Sequence, residues 1–597
     1  MNYKNIAEMF IGTTEKCSSK KLLVYKKNNN WVALNGKDVQ ITVEDISFGL
    51  RSLNIEQNSN IAILSNNSPK WAMSDYGIIC SAMTTVTIYP TLIASQVEFI
   101  LKNSNSKLVF VENQEQLNKV KECFDLCDEL KYIVVMDDSC DNETENIINF
   151  ISFLDKGKEF SQNCELSFNN MVNSINEDDI LTIIYTSGTT GVPKGVVLTH
   201  RNLIANIASI LKVADFTLNE RFLSFLPLSH VLERMGGHYT AFSIGATISY
   251  AENMETIADN MVESKPTIVV CVPRVFEKIH AKFIAGVKSA PKIRQKLFYW
   301  ALAVGKKYSL LTLSNKNPNL LLRVKHKIAS KLIYSKVKAR FGGSIKFFVS
   351  GGAPLSKELA EFFVAVDITI LEGYGLTETS PVLTCNSPTA LKFGCVGKPL
   401  ENVEIKIAND GEILAKGPNI MTGYYKNEEA TNEVFDQDGW FKTGDIGHID
   451  EDGFLKITDR KKSLIVTSAG KNIAPAPIEV KLTSSSYIEQ VHIIGDKRNF
   501  LTAIIVPNFD AVTNYLQGIQ NNMSDINAIV EHPDVIELFN KEIEALMTNF
   551  ARFETIKKFT LIPTPFSIEK GEMTPKMSIV RKVVEKNYSD LIDGMYN

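Results

Sequence analysis

Residues 185–196 read YTSGTTGVPKGV and set three glycines, four aliphatic hydroxyls and one lysine in twelve consecutive positions. Glycine reaches backbone conformations closed to other residues and lets the chain approach a ligand closely. Successive amides turned inward make a concave anion site. Thr186, Ser187, Thr189 and Thr190 add hydroxyl donors around Gly188, and Lys194 adds a point charge suited to phosphate. The chemistry is that of a polyphosphate cradle, and the bland alternative is a glycine-rich surface turn. The stretch does not fit GxxxxGK[ST]: the lysine is the sixth residue after Gly188 and Gly195 follows it, which weakens a P-loop kinase or ATPase reading.

Four further clusters follow in the chain. SGGAPL (350–355) carries Gly351, Gly352 and Ala353, by themselves a tight turn of small residues. EGYGLTETSP (372–381) carries Tyr374, Gly375, Thr377 and Glu378; a carboxylate next to a triphosphate is poorly explained without a cation, because like charges repel. WFKTGDIG (440–447) carries Asp445 in a Gly-Asp turn. TDRKKSLIVTSAGKNIAPAPIE (458–479) opens with Asp459 and Arg460. Taken singly, these are a tight turn, a capped turn and a solvated basic face.

Taken in order, from about residue 60 to 585, they resemble the adenylate-forming enzymes: acyl-CoA synthetases, nonribosomal-peptide adenylation domains and luciferases. The resemblance implies that Thr186, Ser187, Gly188, Thr189, Thr190 and Lys194 hold the β- and γ-phosphates of ATP. It puts adenine at Gly351, Gly352 and Ala353 and against Tyr374 and Gly375. Thr377 would meet the α-phosphate, Glu378 and Thr186 Mg²⁺, Asp445 the ribose, and Arg460 ribose or phosphate, with Asp459 beside a hinge. VTIYPTL (86–92), LPLSHVLER (226–234) and IVTSAGKNIAP (465–475) are similar to the long-chain fatty acyl-CoA synthetase branch. His230 falls where that branch has a residue near the acyl and adenylate sites; a hydrogen-bonded structural histidine is the equal alternative.

One position departs from the family pattern. The late lysine that most relatives bring to the reacting carboxylate aligns with Ser578 in GEMTPKMSIVRKVVEKNY (571–588). Serine supplies no charge to an α-phosphorus gathering negative charge. Lys576 is the expected substitute, since two residues of extended chain span about 6 to 7 Å, the reach of a lysine side chain.

The implied reaction joins a long-chain fatty acid to coenzyme A: the carboxylate attacks Mg-ATP to give acyl-AMP and pyrophosphate, then the thiol displaces AMP. A fatty acyl-AMP ligase serving a carrier protein and a nucleotide- and lipid-binding regulator without turnover are the alternatives.

These residues need a scaffold, and the apolar runs at 60–65, 107–113, 132–137, 180–187, 267–272 and 345–352 predict buried parallel strands. PKWAMSDYGIICSAM and SQVEFILKN predict crossover helices. Beyond Gly397 the pattern turns to hairpins, VEIKIANDGEILAKG and GHIDEDGFLKITD. From Asp459 a separate set of strands and helices begins, with KKSLIVTS as a strand and one long helical stretch over 525–553. The expected fold is α/β: a large N-terminal domain, 1–458, of stacked α/β subdomains plus a β-rich subdomain, then a small mobile α+β C-terminal domain, 459–597.

At 597 residues, 44 % hydrophobic and 22 % charged, the composition is that of a multidomain globular protein and excludes disorder. Nine scattered cysteines without zinc spacing read as reduced thiols. The absence of a secretory start or a long apolar run predicts a cytoplasmic protein. A net charge of -4 offers no global attraction to nucleic acid. Residues 278–346, however, hold seventeen Lys or Arg and no Asp or Glu, in basic amphipathic helices. Peripheral contact with the inner face of a membrane and a soluble helical insert are both open readings of that segment. Chain-length preference and oligomeric state are not encoded in these motifs.

Overall fold

The computed structural model describes residues 3–140, 144–187, 192–314, 316–468, 471–519, 523, 525–567, 569–574 and 579–596. Two large sheets dominate it. The first has eight strands in the order Gly423–Tyr424, Pro193–Thr199, Ile180–Ser187, Thr84–Ile88, Asn60–Leu64, Leu108–Val111, Tyr132–Val135 and Ile147–Asn149. From Ile180–Ser187 outward through the remaining strands its pairs are parallel. Residues 61–64 are wholly buried, as a strand covered on both faces requires. The second sheet has nine strands, of which Phe347–Ser350 lies between Ile268–Cys271 and Thr369–Gly375, all parallel.

The Pro69–Cys80 helix lies between the two sheets, in contact with strands of both. Ser68 caps it by accepting the Trp71 N–H, and Pro69 sits in the first turn, where its missing N–H costs nothing. The helix is buried almost all round, so its apolar residues need no single face. A four-stranded antiparallel sheet (Glu404–Ile407, Glu412–Lys416, Phe441–Ile449, Leu455–Arg460) contains the two expected hairpins. The C-terminal part has a three-stranded sheet (Ile488–Ile494, Leu501–Pro507, Ile556–Leu561) around its own core of Ile493, Ile505, Leu516 and Phe539. A large α/β N-terminal region followed by a smaller α+β one is the architecture expected from the sequence.

Three local expectations change. Ile180–Ser187 is parallel on one side only; on the other it pairs antiparallel with Pro193–Thr199, the strand that follows the glycine-rich stretch in sequence. The return strand PKGVVLT is apolar only in its second half, which hid it. The stretch 525–553 forms two helices, Ile526–Glu531 and Pro533–Leu546. Proline fits only the first turn of a helix and forces the preceding His532 into extended backbone. KKSLIVTS contributes only the two-residue strand Ile465–Val466.

Candidate active site

The phosphate-loop candidate begins where Ile180–Ser187 leaves the eight-stranded sheet. Thr186 faces Lys194 across the ladder, its hydroxyl donating to the Lys194 carbonyl at 3.5 Å, and Ser187 faces Pro193. Gly188, Thr189 and Thr190 lie outside the described residues.

The edge strand Gly423–Tyr424 pairs with Val196–Val197, and the Tyr425 N–H donates to the Gly195 carbonyl at 2.7 Å. This register delivers Tyr424 to the strand Pro193–Thr199. The Lys194 ammonium lies 5.0 Å from the centroid of the Tyr424 ring, within cation–π range, and the Tyr424 hydroxyl donates to Glu378 Oε1 at 2.9 Å. Burial, and then the Glu378 charge, push the Tyr424 hydroxyl pKa up, so it stays a donor. The Met421 N–H donates to the Glu378 carbonyl at 2.8 Å. Tyr424 is a residue that sequence reasoning missed. Its only signal was GYY between turn residues, and its partners lie far away in the chain.

Glu378 sits in the Thr377–Thr379 turn directly after the strand Thr369–Gly375. Thr377 is buried. Gly375 must be glycine, because a Cβ there would lie 1.7 Å from the Pro381 carbonyl oxygen. On the same strand the Tyr374 hydroxyl donates to Asp445 Oδ2 at 2.6 Å, and Arg460 Nε lies 3.3 Å from Asp445 Oδ1. Asp445 and Arg460 are cross-strand partners, so the hairpin register fixes this pair. Burial raises the Asp445 carboxyl pKa, with Arg460 and the Tyr374 hydroxyl opposing that rise and Glu378 adding to it.

The SGG turn reaches the same place by strand order. Ser350 pairs with Glu372 and Cys271, so Gly351, Gly352 and Ala353 emerge beside the start of EGYG. A Cβ on Gly351 would lie 3.4 Å from Leu232 and 3.6 Å from the Gly373 carbonyl oxygen. Gly352 has φ +79°, which favours glycine, and Gly352 and Ala353 are exposed. The hydroxyls of Ser350 and Ser380 are buried without a hydrogen-bond partner.

His230 precedes a π-helical segment, Leu232–Tyr239, a form frequent at functional sites. Its Nδ1 accepts the Leu232 N–H at 3.1 Å, so it starts that segment. Four residues on, Arg234 forms a buried bidentate pair with Asp75, at 2.5 and 2.9 Å, and donates to the Thr182 hydroxyl at 2.7 Å. Tyr239 donates to the same carboxylate at 2.6 Å. This network ties the His230 segment to the strand that leads into the phosphate-loop candidate. No sequence signal marks it, since Asp75 and Arg234 are 159 positions apart.

At the junction, Asp459 accepts the Arg460 and Ala476 N–H groups at 2.5 and 3.3 Å. Burial raises its pKa, and these two hydrogen bonds oppose the rise. Lys481–Glu358 at 3.0 Å and Arg274–Glu489 at 3.7 Å are ion pairs across the same junction. Lys576 and Ser578 lie outside the described residues.

Residues 13–425 match the family model described as AMP-binding enzyme, and residues 462–597 match the AMP-binding enzyme C-terminal domain. The chain is 34 % identical over 570 residues to the long-chain-fatty-acid–CoA ligase FadD15 of Mycobacterium tuberculosis, covering 95 % of this chain and 93 % of that protein. It is 30 % identical over 625 residues to the long-chain-fatty-acid–CoA ligase ACSBG2 of Xenopus laevis, covering 99 % and 83 %. In fold it is similar to the adenylation domain of a carboxylate reductase from Mycobacterium chelonae, with TM-score 0.79, 20 % identity and coverage of 100 % and 92 %. A Mycobacterium tuberculosis fatty acyl CoA synthetase gives TM-score 0.62 at 22 % identity, covering 98 % and 99 %. Family models spanning nearly the whole length, and relatives this similar over it, mean that the chain belongs to the AMP-binding enzyme family.

Proposed function

We propose that this protein is an AMP-forming long-chain fatty acid–CoA ligase that uses Mg-ATP and coenzyme A. The observation that carries the reading is the run of contacts from Lys194 through Tyr424 and Glu378, along the strand to Tyr374, and on to Asp445 and Arg460. Residues scattered over some 270 positions are joined into one run of polar contacts that holds the groups suited to phosphate, cation, base and ribose.

In this reading Thr186, Ser187, Gly188, Thr189, Thr190 and Lys194 grip the β- and γ-phosphates, and Tyr374 with Gly351, Gly352 and Ala353 frames the adenine. Asp445 accepts from the ribose hydroxyls beside Arg460. The unpartnered hydroxyls of Ser350 and Ser380 suit a polar ligand at these strand ends. Among the described residues Glu378 has no Lys or Arg partner, and no cluster of three metal-ligating side chains exists. A single carboxylate fits Mg²⁺ that arrives on the nucleotide and keeps phosphate and water ligands. The ion would neutralise charge between the phosphates. Thr377 and Lys576 then meet the charge growing at the α-phosphorus as the fatty carboxylate attacks, and placement with electrostatics supplies most of the rate. His230 helps to shape the adjoining acyl site.

Pyrophosphate must leave before the thiol enters. We assign that exchange to movement of the 459–597 domain against 1–458 about Asp459, with Lys481–Glu358 and Arg274–Glu489 breaking and re-forming. The protein acts in the cytoplasm, with peripheral contact to the inner face of the membrane through residues 278–346.

The test is palmitate, Mg-ATP and coenzyme A with the purified protein. AMP, pyrophosphate and palmitoyl-CoA in equal amounts are expected. ADP as product, adenylate that passes only to a carrier protein, or no pyrophosphate at all would each reject the reading.

A further inference from the structure

Four aliphatic residues of the Leu320–Ala329 helix face solvent: Leu320 at 78 % exposure, Leu321 at 62 %, Val324 at 48 % and Ile328 at 46 %. At about 100° per residue they fall within one stripe roughly 100° wide. The opposite face holds Leu322 and Ala329, both buried. That same side meets the Lys292–Leu313 helix, where His326 stacks on Tyr308 at 3.9 Å and the Tyr334 hydroxyl just beyond donates to the Ala301 carbonyl at 2.6 Å. The helix is therefore seated by the side opposite the stripe, and its exposed stripe is a separate apolar surface. Ile293, 82 % exposed at the start of the neighbouring helix, is the most exposed of the large hydrophobic side chains described.

Cations border the stripe. Arg323 and Lys327 lie along one edge and Lys325 along the other, all exposed. Of the seventeen basic residues in 278–346, ion pairs to acids involve only Lys306, Lys338 and Lys346 among the described residues. No helix described is long and apolar enough to cross a membrane.

We propose that this stripe and its flanking cations form a docking surface for an anionic lipid bilayer, the aliphatic side chains entering the interface and the cations meeting headgroups. The site rests on the ligase reading only in its purpose, delivery of a membrane-borne acid, and its physics is independent of it. A second copy of the chain is disfavoured because it would set the same acid-free surface against itself. Nucleic acid is disfavoured because the stripe is aliphatic, whereas single strands are held by aromatic stacking.

The experiment is flotation of the full-length protein with phosphatidylcholine vesicles, with and without phosphatidylglycerol. Two variants are compared: Leu320→Ser/Leu321→Ser/Val324→Ser/Ile328→Ser, and Arg323→Glu/Lys325→Glu/Lys327→Glu. The wild type should float only with the anionic vesicles and release at high salt. Each cation contributes about fivefold, so the charge variant should bind at least about a hundredfold more weakly. The serine variant should also lose most binding. Both should activate water-soluble octanoate at the wild-type rate. Failure of the wild type to float, or flotation of both variants like the wild type, would overturn the proposal. So would a serine variant that merely converts a dimer to a monomer in sedimentation, or retention on single-stranded nucleic acid in place of vesicles. If AMP formation is absent with palmitate as well as octanoate while flotation behaves as expected, the ligase reading fails and the docking surface stands.

Discussion

Glu233 is fully buried in the π-helical segment, and neither carboxyl oxygen makes a hydrogen bond. Burial pushes its carboxyl up to about 8; Ser224 is close enough to favour the ionised form but is not aligned to bond to it. The ordinary value for Glu is 4.5. Between those two values the folded protein keeps a proton that the unfolded chain has released, so stability is full below pH 4.5, falls as pH rises toward 8, and is level above it. At pH 7 the difference amounts to about 2.5 pKa units, or about 3 kcal/mol, rising to about 5 kcal/mol at pH 8.5. Glu233→Gln keeps the shape and removes the titration. Urea unfolding of both proteins across this range should show the wild type losing stability relative to the variant by about 3 kcal/mol between pH 4.5 and 7. Glu372, also buried and pushed up to about 8 by burial, is present in both proteins and cancels in the difference. Parallel stability profiles would refute the assignment of a neutral acid to Glu233.

Tyr424→Phe removes the hydrogen bond to Glu378, and bonds to charged groups contribute about 1.5 to 3 kcal/mol. We expect kcat/KM for ATP to fall about 10- to 100-fold in pyrophosphate release, and the melting temperature to fall as well, because the same bond is present in the unliganded fold. Asp75→Ala leaves Arg234 buried without its partner and should destabilise the N-terminal domain by about 3 to 5 kcal/mol, measured by chemical unfolding. Adding Arg234→Met to Asp75→Ala should recover much of that loss, because the orphaned charge is gone. Asp459→Pro should slow thioester formation far more than adenylate formation when the half-reactions are timed separately; equal loss in both would reject the pivot. Lys576→Ala should slow adenylation, and in that background Ser578→Lys should restore it; no effect of either change on pyrophosphate release would remove Lys576 from the reaction.

Much of the candidate site was proposed from motifs before any coordinates, because their chemistry is local. A glycine and hydroxyl stretch with one lysine, a turn of small residues, and TETSP after EGYG each announce themselves within a dozen residues. Parallel strands could be read from continuous apolar runs because both of their faces are buried. Polar half-strands such as Pro193–Thr199, and the short edge strand Gly423–Tyr424, carry no such pattern, so their pairing and Tyr424's place beside Lys194 and Glu378 stayed hidden.

What the sequence determined by itself was the inventory: which groups are candidates for phosphate, base, ribose and cation, the family they resemble, and the alternation of strands and helices that holds them. What only the tertiary structure decided was adjacency. Sheet order set Ser350 beside Glu372, and hairpin register set Asp445 against Arg460. The packing of a buried helix between two sheets joined Asp75 to Arg234. It also decided which apolar residues remain outside, since Leu322 and Leu321 are the same residue type in adjacent positions and only the direction of the neighbouring core buries one and exposes the other. Local propensity acts over a few residues, whereas these pairings depend on contacts between segments far apart in the chain, which no spacing encodes.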